Sequence, residues 1–237
     1  MQPIFITGIG TGIGKTLISA IVTEALAGHY WKPVQAGFAD GTDSEWVGER
    51  ISPLSGASNG QGVSAPGAGA TVSSRIAPEL YKLKLPASPH IAAREEGVVI
   101  SLDKIAAGLS DIGAALPARC PLVIEGAGGL LVPLNEREFV LDLVKKLDAN
   151  VILVSRNYLG SINHSLLTAE VCRSHGLKVA GWIFNDQYLH YEQEIVSWSG
   201  VPRIGSVPFQ NSPDSEFVRT QAGLIGPALW KVLGINQ

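Results

Sequence analysis

Four glycines alternate with other residues near the start of the chain and end in a Gly-Lys-Thr triplet. The stretch reads Gly-Ile-Gly-Thr-Gly-Ile-Gly-Lys-Thr over residues 8–16, directly after an apolar run and directly before a helix-like segment. Closely spaced glycines let successive backbone N–H groups point inward around an anion, and the N-terminus of the following helix adds partial positive charge. The lysine supplies a full positive charge, and the threonine offers a hydroxyl to Mg²⁺. The stretch therefore predicts a phosphate-binding loop between a strand and a helix.

This loop is a variant of the Walker A pattern. The strict pattern has a glycine five positions before Gly14, where this chain has Ile9, and Gly8 lies six positions before it. A dinucleotide-binding turn is disfavoured, because Lys15-Thr16 closes the loop and no acidic residue ends the next predicted strand near Lys32.

Short apolar runs alternate with longer helix-like segments along the rest of the chain. Predicted strands lie at 3–7, 30–35, 121–125, 151–155, 179–185 and 203–207, and most are rich in valine and isoleucine without strict alternation. Predicted helices lie at 15–27, 89–95, 101–116, 138–147, 163–175 and 217–233. This order is typical of an α/β fold. We expect residues 1–237 to form a single domain with a mostly parallel sheet and helices on both faces.

One segment interrupts this alternation. Residues 53–74 contain 14 glycine, alanine or serine residues among 22, with no charged and no aromatic side chain. Such a composition buries little apolar surface, so we expect a long surface loop inserted into the domain.

Three charged side chains are candidates for a site beside the phosphate-binding loop. Glu125 follows the apolar run Leu-Val-Ile and precedes Gly-Ala-Gly-Gly, so it lies at the carboxyl end of a predicted strand, where ligands bind in open α/β sheets. Lys32 lies inside a predicted strand, where an ammonium group is costly to bury without a negative partner. Asp43 follows nearby in a loop. A solvated strand end, an edge-strand lysine and a surface turn are the alternatives for these three residues.

The composition excludes several classes of partner. A net charge of −3 gives no basic field for nucleic acid or an anionic membrane, and the longest uncharged stretch is too polar to cross a bilayer. The two cysteines are far apart and match no zinc or redox spacing. We expect a cytoplasmic protein that binds neither nucleic acid nor membrane.

Seven blocks of the sequence occur in the order found in the dethiobiotin synthetase family, which the chain resembles over roughly residues 3 to 210. The blocks are Gly-x-x-Thr-x-x-Gly-Lys-Thr, Lys-Pro-Val-Gln-x-Gly, Thr-Asp, Ser-Pro-His-Ile-Ala-Ala, Val-Ile-Glu-Gly-Ala-Gly-Gly, Leu-Gly-Ser-Ile-Asn-His and Ala-Gly-Trp-Ile-Phe-Asn-Asp. The fifth and sixth blocks are specific to that family, whereas the phosphate-binding loop alone is not.

The resemblance implies an ATP- and Mg²⁺-dependent ligase of biotin biosynthesis that closes a cyclic urea. In that family 7,8-diaminononanoate and CO₂ give a carbamate, ATP phosphorylates it, and the second amine attacks the mixed anhydride to release phosphate and dethiobiotin. Bringing the anionic carbamate to a phosphate requires cations. Lys15, Lys32 and Thr11 would be the catalytic residues, and Mg²⁺ would be held by Thr16, Asp43 and Glu125.

The resemblance also assigns the remaining binding residues. ATP would contact Gly12, Ile13, Gly14, Lys15, Thr16, Leu17 and Glu125, and its adenine would lie beside Asn185, Val207 and Pro208. The substrate's distal carboxylate would be received by Gly160, Ser161 and Asn163 of a partner subunit. A homodimer with its active site at the interface is therefore expected.

Two residues depart from the family pattern, and one other class remains open. Gly10 stands where the family usually has aspartate, and Ala36 stands where it has serine or threonine. The alternative is a nucleotide-switched ATPase of the partition or septum-positioning type, which carries a signature lysine early in the loop. Residues 8–13 contain no lysine, which argues against that class.

Overall fold

A seven-stranded parallel sheet forms the centre of the computed structural model, which describes residues 2–53, 63–65, 68–72, 75–186 and 188–235. The strands are β1 (Ile4–Gly8), β2 (His29–Trp31), β3 (Val34–Ala36), β4 (Val63–Ala65), β5 (Ala68–Val72), β6 (Ile76–Ala77), β7 (Tyr81–Leu83), β8 (Leu122–Gly129), β9 (Asn150–Arg156), β10 (Lys178–Asn185) and β11 (Arg203–Val207). The main sheet has the order β11-β10-β9-β1-β8-β2-β6, and its neighbouring strands are all parallel.

Helices cover both faces of this sheet, as the alternation of apolar runs predicts. They are α1 (Lys15–Ala25), α2 (Asp43–Gly48), α3 (Pro89–Glu95), α4 (Leu102–Ala115), α5 (Val140–Lys146), α6 (Ser161–Ser174), α7 (Glu192–Ser199) and α8 (Ser215–Leu233), with a 3-10 turn over Tyr188–His190. One core cluster joins Ile4 and Ile6 of β1 to α1, α2 and α8. A second joins Phe5 to α3, α4, α5, α6 and α7. Since neighbouring strand residues point to opposite faces, β1 contributes to both cores. The expected α/β architecture is confirmed.

The predicted strand at 30–35 is wrong as a single element. β2 ends at Trp31 and remains in the main sheet, whereas β3 starts at Val34 and pairs with β7 in a separate two-stranded sheet. Pro33 separates them, because proline has no N–H to continue a ladder. Its carbonyl instead accepts from the N–H groups of Leu80 and Tyr81, at 3.1 and 2.9 Å. The chain thus leaves the sheet at Lys32.

The expected loop at 53–74 contains paired strands. Val63–Ala65 and Ala68–Val72 form an antiparallel pair, so the expectation of a loop is wrong for these residues. Two antiparallel strands satisfy each other's backbone groups, which requires neither charged nor aromatic side chains. The other residues from 54 to 74 lie outside the described part of the chain. Among the described helices, none has the length and apolar content that a membrane span requires.

Candidate active site

The phosphate-binding loop lies between β1 and α1, at the carboxyl edge of the sheet. β1 pairs with β8 so that Ile6 lies opposite Glu125, which places this carboxylate beside the start of the loop. Gly12 and Gly14 have φ values of 71° and 91°, a region that side chains other than glycine rarely adopt. The loop thus combines left-handed turns with the open N-terminus of α1, as a phosphate-binding loop requires.

Lys15 begins α1 and folds back over the loop. Its Nζ donates to the carbonyl oxygen of Gly10 at 2.7 Å, and the residue is buried. Burial lowers the pKa of Lys15 to about 8, with the Lys32 charge acting in the same direction and the carboxylates of Glu125 and Asp43 opposing it. Lys15 is thus held at the centre of the loop.

Glu125 is the centre of a buried hydrogen-bond cluster and is only 1% exposed. Its Oε1 accepts from Lys32 Nζ at 2.9 Å and from Thr16 Oγ1 at 3.0 Å. Its Oε2 accepts from the Tyr30 hydroxyl at 2.8 Å. Burial, followed by the charges of Glu125 and Asp43, raises the pKa of Tyr30 well above its ordinary value, so the hydroxyl keeps its proton.

Lys32 joins Glu125 to Asp43, since its Nζ also donates to Asp43 Oδ2. Burial opposes the charged ammonium, but the two carboxylates outweigh it and raise the pKa of Lys32 above its ordinary value. Asp43 begins α2, where the cap residue Thr42 and Glu45 form reciprocal side-chain to backbone hydrogen bonds. The Asp43 N–H donates to the side-chain carbonyl of Gln35 at 3.3 Å. The buried-lysine interpretation is therefore the one that the contacts support.

A cavity of about 770 Å³ brings half of the predicted site together. The predicted residues that line it are Thr11, Gly12, Gly14, Lys15, Thr16, Lys32, Asp43 and Glu125. Apolar atoms of Val34, Ala36, Pro86, Ala87 and Val132 form part of the same wall. Two cations and two carboxylates thus share one cavity with an apolar side.

The other predicted nucleotide residues lie behind or beside the loop. Ile13 is buried in the core and Leu17 is half-buried in α1. Asn185 ends β10, and its side-chain amide donates to the carbonyl of Ile13 at 2.9 Å, which ties the loop to that strand. Val207 is buried opposite Asn185 in β11, and Pro208 follows it on the surface.

The predicted carboxylate-binding residues do not line the 770 Å³ cavity. Gly160 caps α6 with a φ of 103°, and both Gly160 and Asn163 are exposed. Ser161 is buried, and its hydroxyl accepts from the Tyr158 N–H at 3.2 Å. This helix start borders a second cavity, of about 1030 Å³, which lies between the phosphate-binding loop and residues 156–159.

Tyr30 and Gln35 belong to the site but are missing from the sequence prediction. Tyr30 contacts Glu125, and Gln35 contacts the backbone of Asp43. Tyr30 lies two positions before Lys32, and strand residues two apart share a face. That spacing is a signal that could have found Tyr30, whereas Gln35 depends on a turn of the chain that no local pattern specifies.

The donor set fits a magnesium ion bound together with phosphates. Thr16, Asp43 and Glu125 offer one hydroxyl and two carboxylates around the same cavity. Mg²⁺ usually binds through one or two carboxylates, substrate phosphates and water, rather than through a cage made of protein alone. The described residues contain no cluster of three or more His, Cys, Asp or Glu side chains able to hold a metal.

Known proteins resemble the chain at two levels. MinD, a cell division protein of Aquifex aeolicus, superposes with a TM-score of 0.58 at 15% identity, covering 100% of this chain and 99% of that one. A ParA family ATPase from Chlorobium tepidum gives a TM-score of 0.54, also at 15% identity, covering 100% of this chain and 95% of that one. These likenesses extend to the fold alone.

Sequence relatives are much more similar. A family model described as an AAA domain matches residues 2–216. The ATP-dependent dethiobiotin synthetase BioD of Rhodopseudomonas palustris (strain HaA2) is 41% identical over 208 residues, covering 87% of this chain and 85% of the relative. The ATP-dependent dethiobiotin synthetase BioD of Cytophaga hutchinsonii is 46% identical over 185 residues, covering 78% of this chain and 77% of the relative. Such identity far exceeds what the fold alone requires, and the chain belongs to the dethiobiotin synthetase family.

Proposed function

We propose that this chain converts 7,8-diaminononanoate, CO₂ and ATP into dethiobiotin, ADP and phosphate, with Mg²⁺ as the required metal. The observation that carries the proposal is the buried Lys32–Glu125–Asp43 cluster in one cavity with Lys15. An anionic carbamate and an anionic phosphate repel each other, and two cations at the meeting point offset that repulsion. The family relationship supports the same activity.

Phosphate binding is assigned to the loop. Backbone N–H groups from Gly12 to Thr16 and the ammonium group of Lys15 would hold the phosphate oxygens, together with the hydroxyl of Thr11, which lines the same cavity. Thr16, Asp43 and Glu125 would hold Mg²⁺, which when bound neutralises phosphate charge.

The proposed reaction has three steps. One amine adds to CO₂ and loses a proton, which gives the carbamate. A carbamate oxygen takes the γ-phosphoryl group of ATP, and ADP leaves. The second amine then attacks the carbamate carbon, phosphate leaves with the bridging oxygen, and loss of a proton completes the cyclic urea. The role of Lys32 is to stabilise the anionic carbamate oxygen beside the phosphoryl group.

The shape of the cavity supports a substrate with a hydrocarbon chain. Its lining combines the apolar side chains of Val34, Ala36, Pro86 and Val132 with the charged groups of Lys15, Lys32, Asp43 and Glu125. A diamine whose amines meet the charged groups would lay its methylene chain against the apolar side chains, where burial of apolar surface is favourable.

Nucleotide selectivity is assigned to the ends of two strands. Asn185 would hydrogen-bond adenine, with Val207 and Pro208 alongside, and Leu17 would contact the nucleotide. Asn185 already contacts the loop through Ile13, so base binding and loop position would depend on the same side chain.

A homodimer completes the proposed site. Gly160, Ser161 and Asn163 lie at the start of α6 but not in the cavity of Lys32, so they would serve the substrate of a partner subunit. Backbone N–H groups at a helix start suit a carboxylate, and here the Ser161 N–H already donates to the Tyr158 carbonyl at 2.9 Å. Leu159, just before this helix, is 87% exposed and would be covered by the partner in the proposed dimer. We also infer one folded unit over residues 1–237 and a cytoplasmic location.

Phosphate release tests the proposed function. Release from ATP is measured with and without 7,8-diaminononanoate and bicarbonate. We expect rapid release only when both are present, because phosphate leaves in the ring-closing step. Release that is independent of the diamine would overturn the synthetase proposal and would favour a nucleotide-switched ATPase.

A further inference from the structure

The two oxygens of the Glu125 carboxylate have different donors. Oε1 accepts from Thr16 and Lys32, on the side of the phosphate-binding loop. Oε2 accepts from the Tyr30 hydroxyl at 2.8 Å. A buried carboxylate oxygen without a donor is costly, so the position of the Tyr30 hydroxyl decides where Oε2 can lie.

The strand register explains how Tyr30 reaches this oxygen. Tyr30 in β2 lies opposite Val123 in β8, and Val123 shares a face with Glu125, two residues further along. Two residues extend a strand by roughly 6.6 Å, a distance that the long phenol side chain covers. A short or apolar side chain at position 30 would leave Oε2 facing the core.

The Tyr30 ring has no room to move away. The residue is completely buried, in the core cluster that contains Ile4, Ile6, Ile21 and Val123. Cores are packed closely, with side chains in defined rotamers. The hydroxyl is therefore held at a fixed place behind the carboxylate.

We propose that Tyr30 is a positioning residue of the metal site: its hydroxyl holds Oε2 of Glu125 and keeps Oε1 turned toward Thr16 and Lys32. The inference rests on the proposed metal role of Glu125. A hydrogen bond behind a metal ligand fixes the ligand's orientation and strengthens metal binding, although the donor itself never touches the metal.

The test compares Tyr30→Phe with the wild type by isothermal titration calorimetry of Mg²⁺ into ADP-bound protein, a readout that needs no turnover. Phenylalanine removes one oxygen and keeps the ring, so the variant is expected to fold. We expect Mg²⁺ affinity to fall about 10-fold or more, with ADP affinity in the absence of Mg²⁺ unchanged. An unchanged Mg²⁺ affinity would overturn the proposal.

Tyr81→Phe is the matched control. Tyr81 is also buried, and its hydroxyl accepts from the Ser101 N–H at 3.0 Å in the other core cluster. We expect this variant to bind Mg²⁺ like the wild type. Melting curves are recorded first, and titrations are run well below the lowest Tm. An equal loss of affinity in Tyr81→Phe would mean general loosening and would contradict a positioning role for Tyr30.

Glu125→Gln, alone and combined with Tyr30→Phe, tests the positioning role of Tyr30 separately from the metal role of Glu125. We expect Glu125→Gln to weaken Mg²⁺ binding and Tyr30→Phe to add little in that background, because Tyr30 acts through Glu125. Wild-type affinity in Glu125→Gln would show that the proposed metal role is wrong. If Glu125→Gln binds Mg²⁺ weakly and Tyr30→Phe lowers the affinity further by its full amount in that background, the metal role of Glu125 would stand. The positioning role of Tyr30 would then be overturned.

Discussion

A buried ammonium group needs negative partners, and Lys32 has two of them. Its contacts with Glu125 and Asp43 hold a positive charge in the cavity that Val34, Ala36, Pro86 and Val132 also line. Lys15, at the end of the phosphate-binding loop, lines the same cavity. Under the proposed function the two lysines have separate tasks: Lys15 would act on the nucleotide, and Lys32 would act where the nucleotide meets the second substrate.

Replacing Lys32 tests this division. We expect Lys32→Ala to lower kcat about 100-fold or more while the Kd for ATP changes little, because a charge used in the transition state acts on rate. Steady-state kinetics and calorimetry give the two numbers. Lys82→Ala is the control, since the Lys82 side chain on β7 is 42% exposed. A large loss of ATP affinity with unchanged turnover would refute this role of Lys32.

Alanine substitutions at two loop glycines are expected to have different effects on stability. A Cβ on Gly14 would lie 2.0 Å from the Asn185 amide nitrogen, at a φ of 91°, whereas a Cβ on Gly10 would meet no atom within 4 Å. We expect Gly14→Ala to destabilise by more than about 1 kcal/mol and Gly10→Ala to leave stability nearly unchanged. Thermal melting of the ligand-free variants measures both. Equal melting temperatures would contradict the described packing of Asn185 on the loop.

At the scale of single residues, spacing in the sequence identifies candidate residues but not their contacts. Lys15 and Thr16 follow from the Gly-Lys-Thr triplet, and Glu125 follows from its place at a strand end. The partners of these residues come from distant parts of the sequence: the Thr16 hydroxyl donates to Glu125, 109 positions further along the chain. Such contacts depend on strand order, which no local pattern contains.

At the scale of elements, the break at Pro33 matters most for the site. It ends β2 directly after Trp31 and releases Lys32 toward the sheet's carboxyl edge. Proline in an apolar run is a readable sign of this break. The brief strand β6 has no comparable sign, because two residues are too few to show a period.

Arg75, beside β6, holds the end of α1 through a buried network. Its guanidinium donates to the Gly28 carbonyl at 2.7 Å, to Glu24 at 2.7 Å and to the Ser52 carbonyl at 2.8 Å. Burial opposes ionisation of Glu24. The hydrogen bonds from Ser52, together with the hydrogen bond and the positive charge of Arg75, outweigh burial and lower the pKa of Glu24. A glutamate with a lowered folded pKa stabilises above its unfolded pKa of about 4.3 and loses that effect as pH falls.

The lowered pKa of Glu24 determines how the effect of Glu24→Gln on stability changes with pH. We expect the variant to be less stable than wild type by about 1–3 kcal/mol at pH 7, since a charged hydrogen bond in a largely buried network is lost. The difference should stay constant from pH 7 to about 5 and shrink at lower pH, as wild-type Glu24 takes up a proton. Urea unfolding at each pH measures it.

Glu49→Gln is the control for this series. The Glu49 side chain is 73% exposed in its pair with Arg50, and exposed pairs contribute little. We expect its stability to follow the wild type at every pH. A stability difference between Glu24→Gln and the wild type that grows on acidification would contradict a lowered pKa for Glu24.

At the scale of the whole molecule, the proposed role of the start of α6 requires a second subunit. Gly160 and Asn163 are exposed and do not line the cavity that holds Lys32. We expect a solution mass of about twice the 25.0 kDa of one chain. Light scattering measures it, and a wild-type protein that is active as a monomer would contradict the shared site.

Leu159→Asp should prevent the proposed dimer from forming. A charged side chain at an apolar contact that the partner subunit would cover is costly, so we expect a folded monomer with little synthetase activity. Leu224→Asp is the control, because Leu224 is 70% exposed on α8, which packs on the opposite face of the sheet. Activity in monomeric Leu159→Asp equal to that of the wild type would show that each subunit holds a complete site.

The most direct test of the synthetase function follows a single carbon atom. The protein is incubated with ATP, Mg²⁺, 7,8-diaminononanoate and ¹³C-bicarbonate, and the products are analysed by mass spectrometry. We predict dethiobiotin that is one mass unit heavier than the unlabelled compound, with one phosphate released per molecule formed. Hydrolysis of ATP without labelled dethiobiotin would contradict the proposed function.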